Sequence, residues 1–255
     1  MNIYVIIFLL LLLLILTNIF THRVTKFKQK TNFLSSYMIY MSKIEEERNK
    51  AMNGMDNMEC YINFSFHYKL FNLFELLIKK LNENNIKYFL IGGALIGYYR
   101  HNSGFIPWDD DIDIGILEED RERFHEVIYD LMKHNKLIRL DIHDIDKVLY
   151  GDKDDNPIQI DIFYYKYYPN EDVYSFYMDK LRKFWPREKI SKEELFPLQE
   201  IDFKLYLPDG KVMKEIKVTT VNKSKLYLDI AYPDWINIIK TNTSHVKYYN
   251  DLFKF

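Results

Sequence analysis

Cysteine is all but missing from this chain: Cys60 is the only one in 255 residues. An intrachain disulfide is therefore impossible, and a cysteine-based zinc finger is disfavoured. Cys60 lies in a Met-rich polar stretch away from any Cys/His arrangement, which argues against a nucleophilic thiol. Neither sign of charge is in excess. With 35 Lys+Arg against 37 Asp+Glu the formal net charge is −2, so the composition gives no reason to expect nucleic acid or a polybasic membrane patch, and no nucleic-acid partner is expected. Glycine and proline are scarce beside abundant Asn, Ile, Lys and Tyr, a bias of composition with no bearing on mechanism. Internal repeats and low-complexity tracts are also missing. What remains, 48% hydrophobic and 28% charged, describes a globular protein with one main domain as the default.

There is one long apolar run. IYVIIFLLLLLLILTNIF, Ile3 to Phe20, carries no charge, and at about 1.5 Å per residue it nearly spans a hydrocarbon core of about 30 Å. No basic segment precedes it, and Thr17-Asn18-Ile19-Phe20 offers no small-residue cleavage site, so it reads as a retained signal anchor. The expected organisation is a transmembrane signal anchor over residues 1–22, a polar stem over 23–62 and a catalytic domain over 63–255. The membrane is thus an expected partner through the N-terminal helix. Two signals disagree on its side. Arg23, Lys26, Lys28 and Lys30 follow the run and place the domain in the cytosol. Sequons at Asn63, Asn222 and Asn242 have meaning only in a lumen. The side is left open.

Within the main domain, Leu70, Leu73, Phe74, Leu77, Ile78 and Leu81 fall at helical spacing, with Asn82 to Asn85 closing the helix. KYFLIGG, 87 to 93, reads as a buried strand entering a tight turn, and Ala94 to Arg100 as a short helix. Next come a loop with Gly104 and Pro107, the strand DIDIGI, a helix over Glu118 to Lys136 and a strand near Leu137 to Ile142. The acidic loop 151–157 leads to the strand IQIDIFYY. Residues 166 to 255 read as aromatic helical stretches followed by a hairpin that turns at Pro208-Asp209-Gly210. The fold class is α+β (α/β-like), one mixed sheet flanked by helices.

The chemistry concentrates in GFIPWDDDIDIGI, 104 to 116. A period of two puts Ile112, Ile114 and Ile116 on one face and Asp111 and Asp113 on the other. The two aspartates stand about 6.6 Å apart along the strand. In IQIDIF, Ile158, Ile160 and Ile162 share a face and Asp161 projects from the opposite one. If the two strands are close in one sheet, three carboxylates meet on one side. Hard cations, Mg²⁺ or Mn²⁺, suit that donor set, as does phosphoryl or nucleotidyl transfer. Two plainer readings compete. A wet strand face needs no metal. A calcium loop begun at Asp109 wants Gly sixth and Glu twelfth, and the chain has Ile114 and Asp120 there, so that reading fails.

Taken together, GGALIGYYRH, GFIPWDDDIDIGI and QIDIF resemble the LicD family, which includes fukutin and the fukutin-related protein, within the nucleotidyltransferase-fold superfamily. Gly92 and Gly93 match the family's glycine pair, Asp111 and Asp113 its D-x-D, and Asp161 its third acid. Arg100-His101 and Pro107-Trp108 sit where the family has R-H and P-W. FPLQEIDFKLYLPDGKVMKEIKV and YLDIAYPDW look like its C-terminal part, so the resemblance spans roughly residues 66 to 240. Asn102-Ser103-Gly104 is one residue longer than expected in relatives, and Ala231 precedes a tyrosine followed by Pro233 where a glycine is common.

The resemblance implies transfer of a phospho-alcohol, of phosphocholine or ribitol-phosphate type, from a CDP-activated alcohol donor to a glycan or glycoconjugate acceptor, releasing CMP. It implies metal and catalytic roles for Asp111, Asp113 and Asp161. Substrate binding falls to Gly92, Gly93, Arg100, His101, Trp108 and Asp110, with backbone N–H groups after the glycines facing a phosphate and Arg100 as a clamp. Trp108 has packing as its alternative role, and His125 and His134, on a charged helix, read as solvated. Two competitors remain: transfer of NMP from an NTP to a protein or small molecule, and a catalytically inactive membrane-anchored scaffold.

Overall fold

The computed structural model describes residues 64–151, 158–207 and 209–237. The expected anchor and stem, Cys60, the sequons at Asn63 and Asn242, most of the acidic loop and Pro208 lie outside the described residues. Among the described residues no helix is long and apolar enough to cross a membrane.

The described residues begin with α1 (Phe64–Glu83), whose buried stripe of His67, Leu70, Phe71, Phe74, Leu77, Ile78 and Leu81 keeps the helical period. A short strand β1 (Tyr88–Leu90) enters α2 (Gly92–Arg100) almost without a loop. Gly92 takes φ +54°, a left-handed conformation natural to glycine, and this allows the abrupt turn from strand to helix. β2 (Asp111–Leu117) follows, then a 3₁₀ turn (Glu118–Asp120), α3 (Arg121–His134), β3 (Ile138–Asp141), β4 (Asp146–Tyr150) and β5 (Ile158–Tyr168). After β6 (Val173–Phe176) come α4 (Asp179–Phe184), β7 (Lys189–Ser191), α5 (Lys192–Leu195), β8 (Gln199–Tyr206), β9 (Val212–Thr220) and α6 (Ser224–Ala231).

Among the described residues nine strands form one sheet in the order β3-β4-β5-β2-β1-β9-β8, with β6 joining β5 and β7. β2 and β5 are parallel and in register, so Asp113 faces Asp161 across the ladder; β1 pairs antiparallel to β2. β5 is long enough to pair with β4 through its first half and β6 through its second. Ile112, Ile114, Ile116, Ile160, Ile162 and Val148 are fully buried on one face of these strands, where Phe124 of α3 meets Tyr164 edge-on. Rings of Phe71, Phe74, Phe105 and Phe203 extend the core between α1 and β8.

Three expectations need correction. The helix expected over 118–136 is a 3₁₀ turn followed by Arg121–His134, since the three successive acids at its start sit as a separate turn. β4 is absent from the expected elements, because Asp146 and Lys147 break the apolar alternation of its short run. The expected aromatic helical stretches after 166 are helix only in part, at α4 and α5; ahead of them β5 runs on to Tyr168 and pairs with β6 through tyrosines and Phe176. Aromatic residues favour such cross-strand rows. The hairpin of β8 and β9 forms as expected.

Candidate metal centre

Alternation along β2 turns Asp111 and Asp113 away from the isoleucine face, and the in-register pairing with β5 brings Asp161 beside them. Each of the three offers a carboxylate oxygen within 4.8 Å of the other two. Asp109, Asp110 and Asp111 form a second group of the same tightness on the approach to β2. Asp161 is only 6% exposed and is gripped by Lys147, whose Nζ lies 2.9 and 2.8 Å from its two oxygens.

Asp113 keeps a little solvent contact at its surface but is set deep among protein atoms. That burial, reinforced by the charges of Asp111, Asp161 and Asp109, holds its carboxyl well above the usual range, while a bond from the Gly93 N–H pulls the other way. Three carboxylates this close therefore resist being ionised together in the protein alone. A divalent cation relieves that conflict, and an all-oxygen set fits Mg²⁺ or Mn²⁺.

The glycine pair has a physical reason visible here. A Cβ at Gly92 would stand 2.5 Å from Asp113 Oδ2, and a Cβ at Gly93 would run into Asp109 Oδ2. The start of α2 thus packs directly against two of the acidic side chains, with its positive end toward them. Sequence reasoning assigns these backbone groups to a substrate phosphate; in the protein alone they face its own carboxylates.

Arg100 ends α2 and is held from several sides. Its Nη1 donates to the Trp235 carbonyl at 2.9 Å and its Nε to His101 Nε2 at 3.1 Å. Its guanidinium lies 6.0 Å from the centre of the Trp108 ring, and the Asp109 charge acts on it. Accepting from Arg100 requires His101 to be neutral, in keeping with burial and the Arg100 charge, which lower its pKa to about 4. The His101 ring stands edge-on to Trp108, 5.5 Å between centroids. Trp108, half-buried, thus braces the loop through Arg100 and His101. Asp110 is half-buried in the acidic turn.

Two groups at this site escape sequence reasoning. His67, on the apolar stripe of α1, stacks on Phe105 at 4.7 Å and donates from Nε2 to the Asp109 carbonyl at 2.9 Å. Burial lowers its pKa to about 4, so it is neutral. Its signal is a polar residue at an apolar position of a helical repeat. Lys147 is hidden with the strand that carries it. His125 also departs from expectation: far from being solvated, its Nε2 is 2.6 Å from Asp146 Oδ2 on the opposite face of the sheet. His134 is exposed.

Residues 85–207 match the family described as LicD/FKTN/FKRP, nucleotidyltransferase domain. Among individual proteins, the chain is 33% identical over 140 residues to an uncharacterized protein of Rickettsia typhi, covering 52% of this chain and 39% of that protein. A Rickettsia prowazekii protein, also uncharacterized, is 28% identical over 170 residues, covering 65% of this chain and 54% of its own length. The chain therefore spans about two-fifths to half of these relatives. A segment of 42 residues is 55% identical to the lipopolysaccharide cholinephosphotransferase LicD of Haemophilus influenzae, 16% of each protein. Among solved structures, the lincosamide antibiotic adenylyltransferase LnuA, lincomycin-bound, aligns with a TM-score of 0.40 at 13% identity, covering 74% of this chain and 96% of that one. The antibiotic-resistance factor ANT(2'')-Ia aligns at 0.37 and 15%, covering 72% and 82%.

Proposed function

Residues 85–207 place this chain in the LicD family, and from that premise we propose that it transfers a phospho-alcohol, of phosphocholine or ribitol-phosphate type, from a CDP-activated donor to a glycan hydroxyl, releasing CMP. The observation that carries the reading is the convergence of Asp111, Asp113 and Asp161 within 4.8 Å across two parallel strands. These three residues would hold Mg²⁺ or Mn²⁺, which when bound neutralises the donor diphosphate and steadies charge on the departing CMP. The protein supplies the rest. β2 and β5 fix the carboxylates on a rigid sheet, so their spacing is set before the donor arrives. Arg100, His101 and Trp108 form a braced wall beside the acidic turn, with the guanidinium as the group to meet a donor phosphate. An ionised aspartate of the cluster takes the proton of the acceptor hydroxyl. The proposal also includes membrane attachment through Ile3–Phe20. A truncated protein that begins at residue 63 is then expected in the soluble fraction, with the full chain in the membrane pellet.

The test is a screen of CDP-choline, CDP-ribitol and nucleoside triphosphates with Mn²⁺, following the nucleotide product. Metal-dependent release of CMP, lost in Asp111→Asn with the fold intact by circular dichroism, is the expected result. Pyrophosphate instead identifies NMP transfer. No metal-dependent turnover or binding of any of these compounds leaves the scaffold as the better account.

A further inference from the structure

Asp161 has a neighbour on each side of its strand. The antiparallel register of β4 and β5 sets Lys147 opposite Asp161, and the parallel register of β5 and β2 sets Asp161 opposite Asp113. One row across three strands therefore reads Lys147, Asp161, Asp113. The ammonium approaches Asp161 from the β4 side, with contacts of 2.9 Å to Oδ1 and 2.8 Å to Oδ2. A cation shared so evenly engages a lone pair on each oxygen and resists rotation of the carboxylate. This is no surface ion pair, because the side chain of Asp161 is 9% exposed and that of Lys147 29%.

The placement of Lys147 is itself secured. Its neighbour Asp146 points through the other face of the sheet with no side-chain exposure. There Tyr164 donates to Asp146 Oδ2 at 2.7 Å and His125 Nε2 lies 2.6 Å from the same oxygen. A slip of β4 by one residue would exchange the two faces, driving Lys147 into that buried pocket. The register that locks Asp146 underneath therefore delivers Lys147 to Asp161 above.

We propose that Lys147 is a positioning residue of the acidic centre. It fixes the Asp161 carboxylate from the β4 side so that one oxygen stays turned toward Asp111 and Asp113. This rests on reading those three aspartates as a cation site. Partners that orient a ligand from behind typically change metal affinity by about 10–100-fold when removed.

The experiment is Mn²⁺ binding to the full chain in detergent, read by electron paramagnetic resonance, so that no turnover is needed. Lys147→Met should weaken Mn²⁺ binding about tenfold or more, and Lys147→Arg, which keeps a forked cation in reach, should restore most of it. In an Asp161→Asn background, Lys147→Met should cause no further loss. Should Lys147→Met not fold, Lys147→Gln carries the same expectation, since its neutral amide grips the carboxylate less firmly. Binding as tight as wild type or tighter in the neutral variants, the result of simply removing a nearby positive charge, overturns the proposal. So does an equal loss in the Asp161→Asn background. Absence of Mn²⁺ binding by the wild type overturns the cation reading and this inference with it, an outcome distinct from failure of Lys147 alone.

Discussion

Single side chains at this centre act through what they exclude or neutralise. Gly92 and Gly93 matter for the Cβ atoms they lack, because those atoms would occupy space taken by the carboxylates of Asp113 and Asp109. His67 matters for being neutral. Its pKa falls to about 4 in the folded protein from an ordinary value of 6.5. Below pH 6.5 the unfolded chain takes up a proton that the folded protein refuses, so His67 contributes stability above that pH and loses it as pH falls through about 4. The cost is about 3 kcal/mol, from a fall of about 2.5 pH units at 1.36 kcal/mol per unit. His67→Phe keeps a ring against Phe105 but cannot titrate. Urea denaturation at a series of pH values should show a shallower acid limb between about pH 6.5 and 4 in the variant. Equal slopes would remove His67 from the account. His101, also lowered to about 4, adds to the wild-type limb and remains in the variant. The aspartates are legible from a period of two, since their positions on one face follow from strand geometry alone. His67 is visible only as an oddity, because a helical stripe says that a residue is buried and not what it meets.

Elements explain why the rest is not legible. β2 and β5 announce themselves by alternating isoleucines, and their pairing needs only adjacency in the sheet. β4 has no such announcement: its opening pair, Asp146 and Lys147, is polar on both faces, and each finds its partner only after the strand docks. A buried aspartate below and a lysine above are tertiary facts, beyond the reach of periodicity. The same strand should reveal its role when its lower anchor is cut. Asp146→Ala leaves Tyr164 and His125 without their acceptor and should cost about 3 kcal/mol in urea denaturation. It should also weaken Mn²⁺ binding, although Asp146 points away from the centre, because Lys147 loses the register that holds it. Destabilisation with unchanged Mn²⁺ affinity would show that β4 is pinned by its backbone ladder alone. A like division applies to Asn222. Its side-chain amide donates to the Glu193 and Phe196 carbonyls at 3.0 and 3.1 Å, so this sequon has a structural use that the three-letter pattern does not reveal.

At the scale of the whole molecule, the acidic centre stands in tension with the stability of the fold. Asp113 is held well above its ordinary 3.8 by burial and by Asp111, Asp161 and Asp109. Here the folded protein binds the proton more tightly than the unfolded chain, the reverse of His67. The stability that the protonated form contributes is complete below 3.8 and is lost as pH rises through the raised value. In metal-free buffer Asp113→Asn removes this loss while keeping the shape of the side chain. The variant should therefore melt above the wild type at neutral pH, by about 2–4 °C for each kcal/mol recovered, and the gap should close toward pH 4. Mn²⁺ should reverse the ranking. A ligand that binds only the folded state stabilises by about 2.7 kcal/mol at one hundred times its Kd, and the wild type should gain that increment where the variant gains little. Scanning calorimetry of both proteins with and without Mn²⁺ at two pH values measures these differences. A wild type that is already the more stable without metal, or a variant that responds to Mn²⁺ as strongly, would mean that the carboxylates are satisfied by the protein itself. The centre would then be a structural network, and the repulsion among its aspartates would no longer point to a cation.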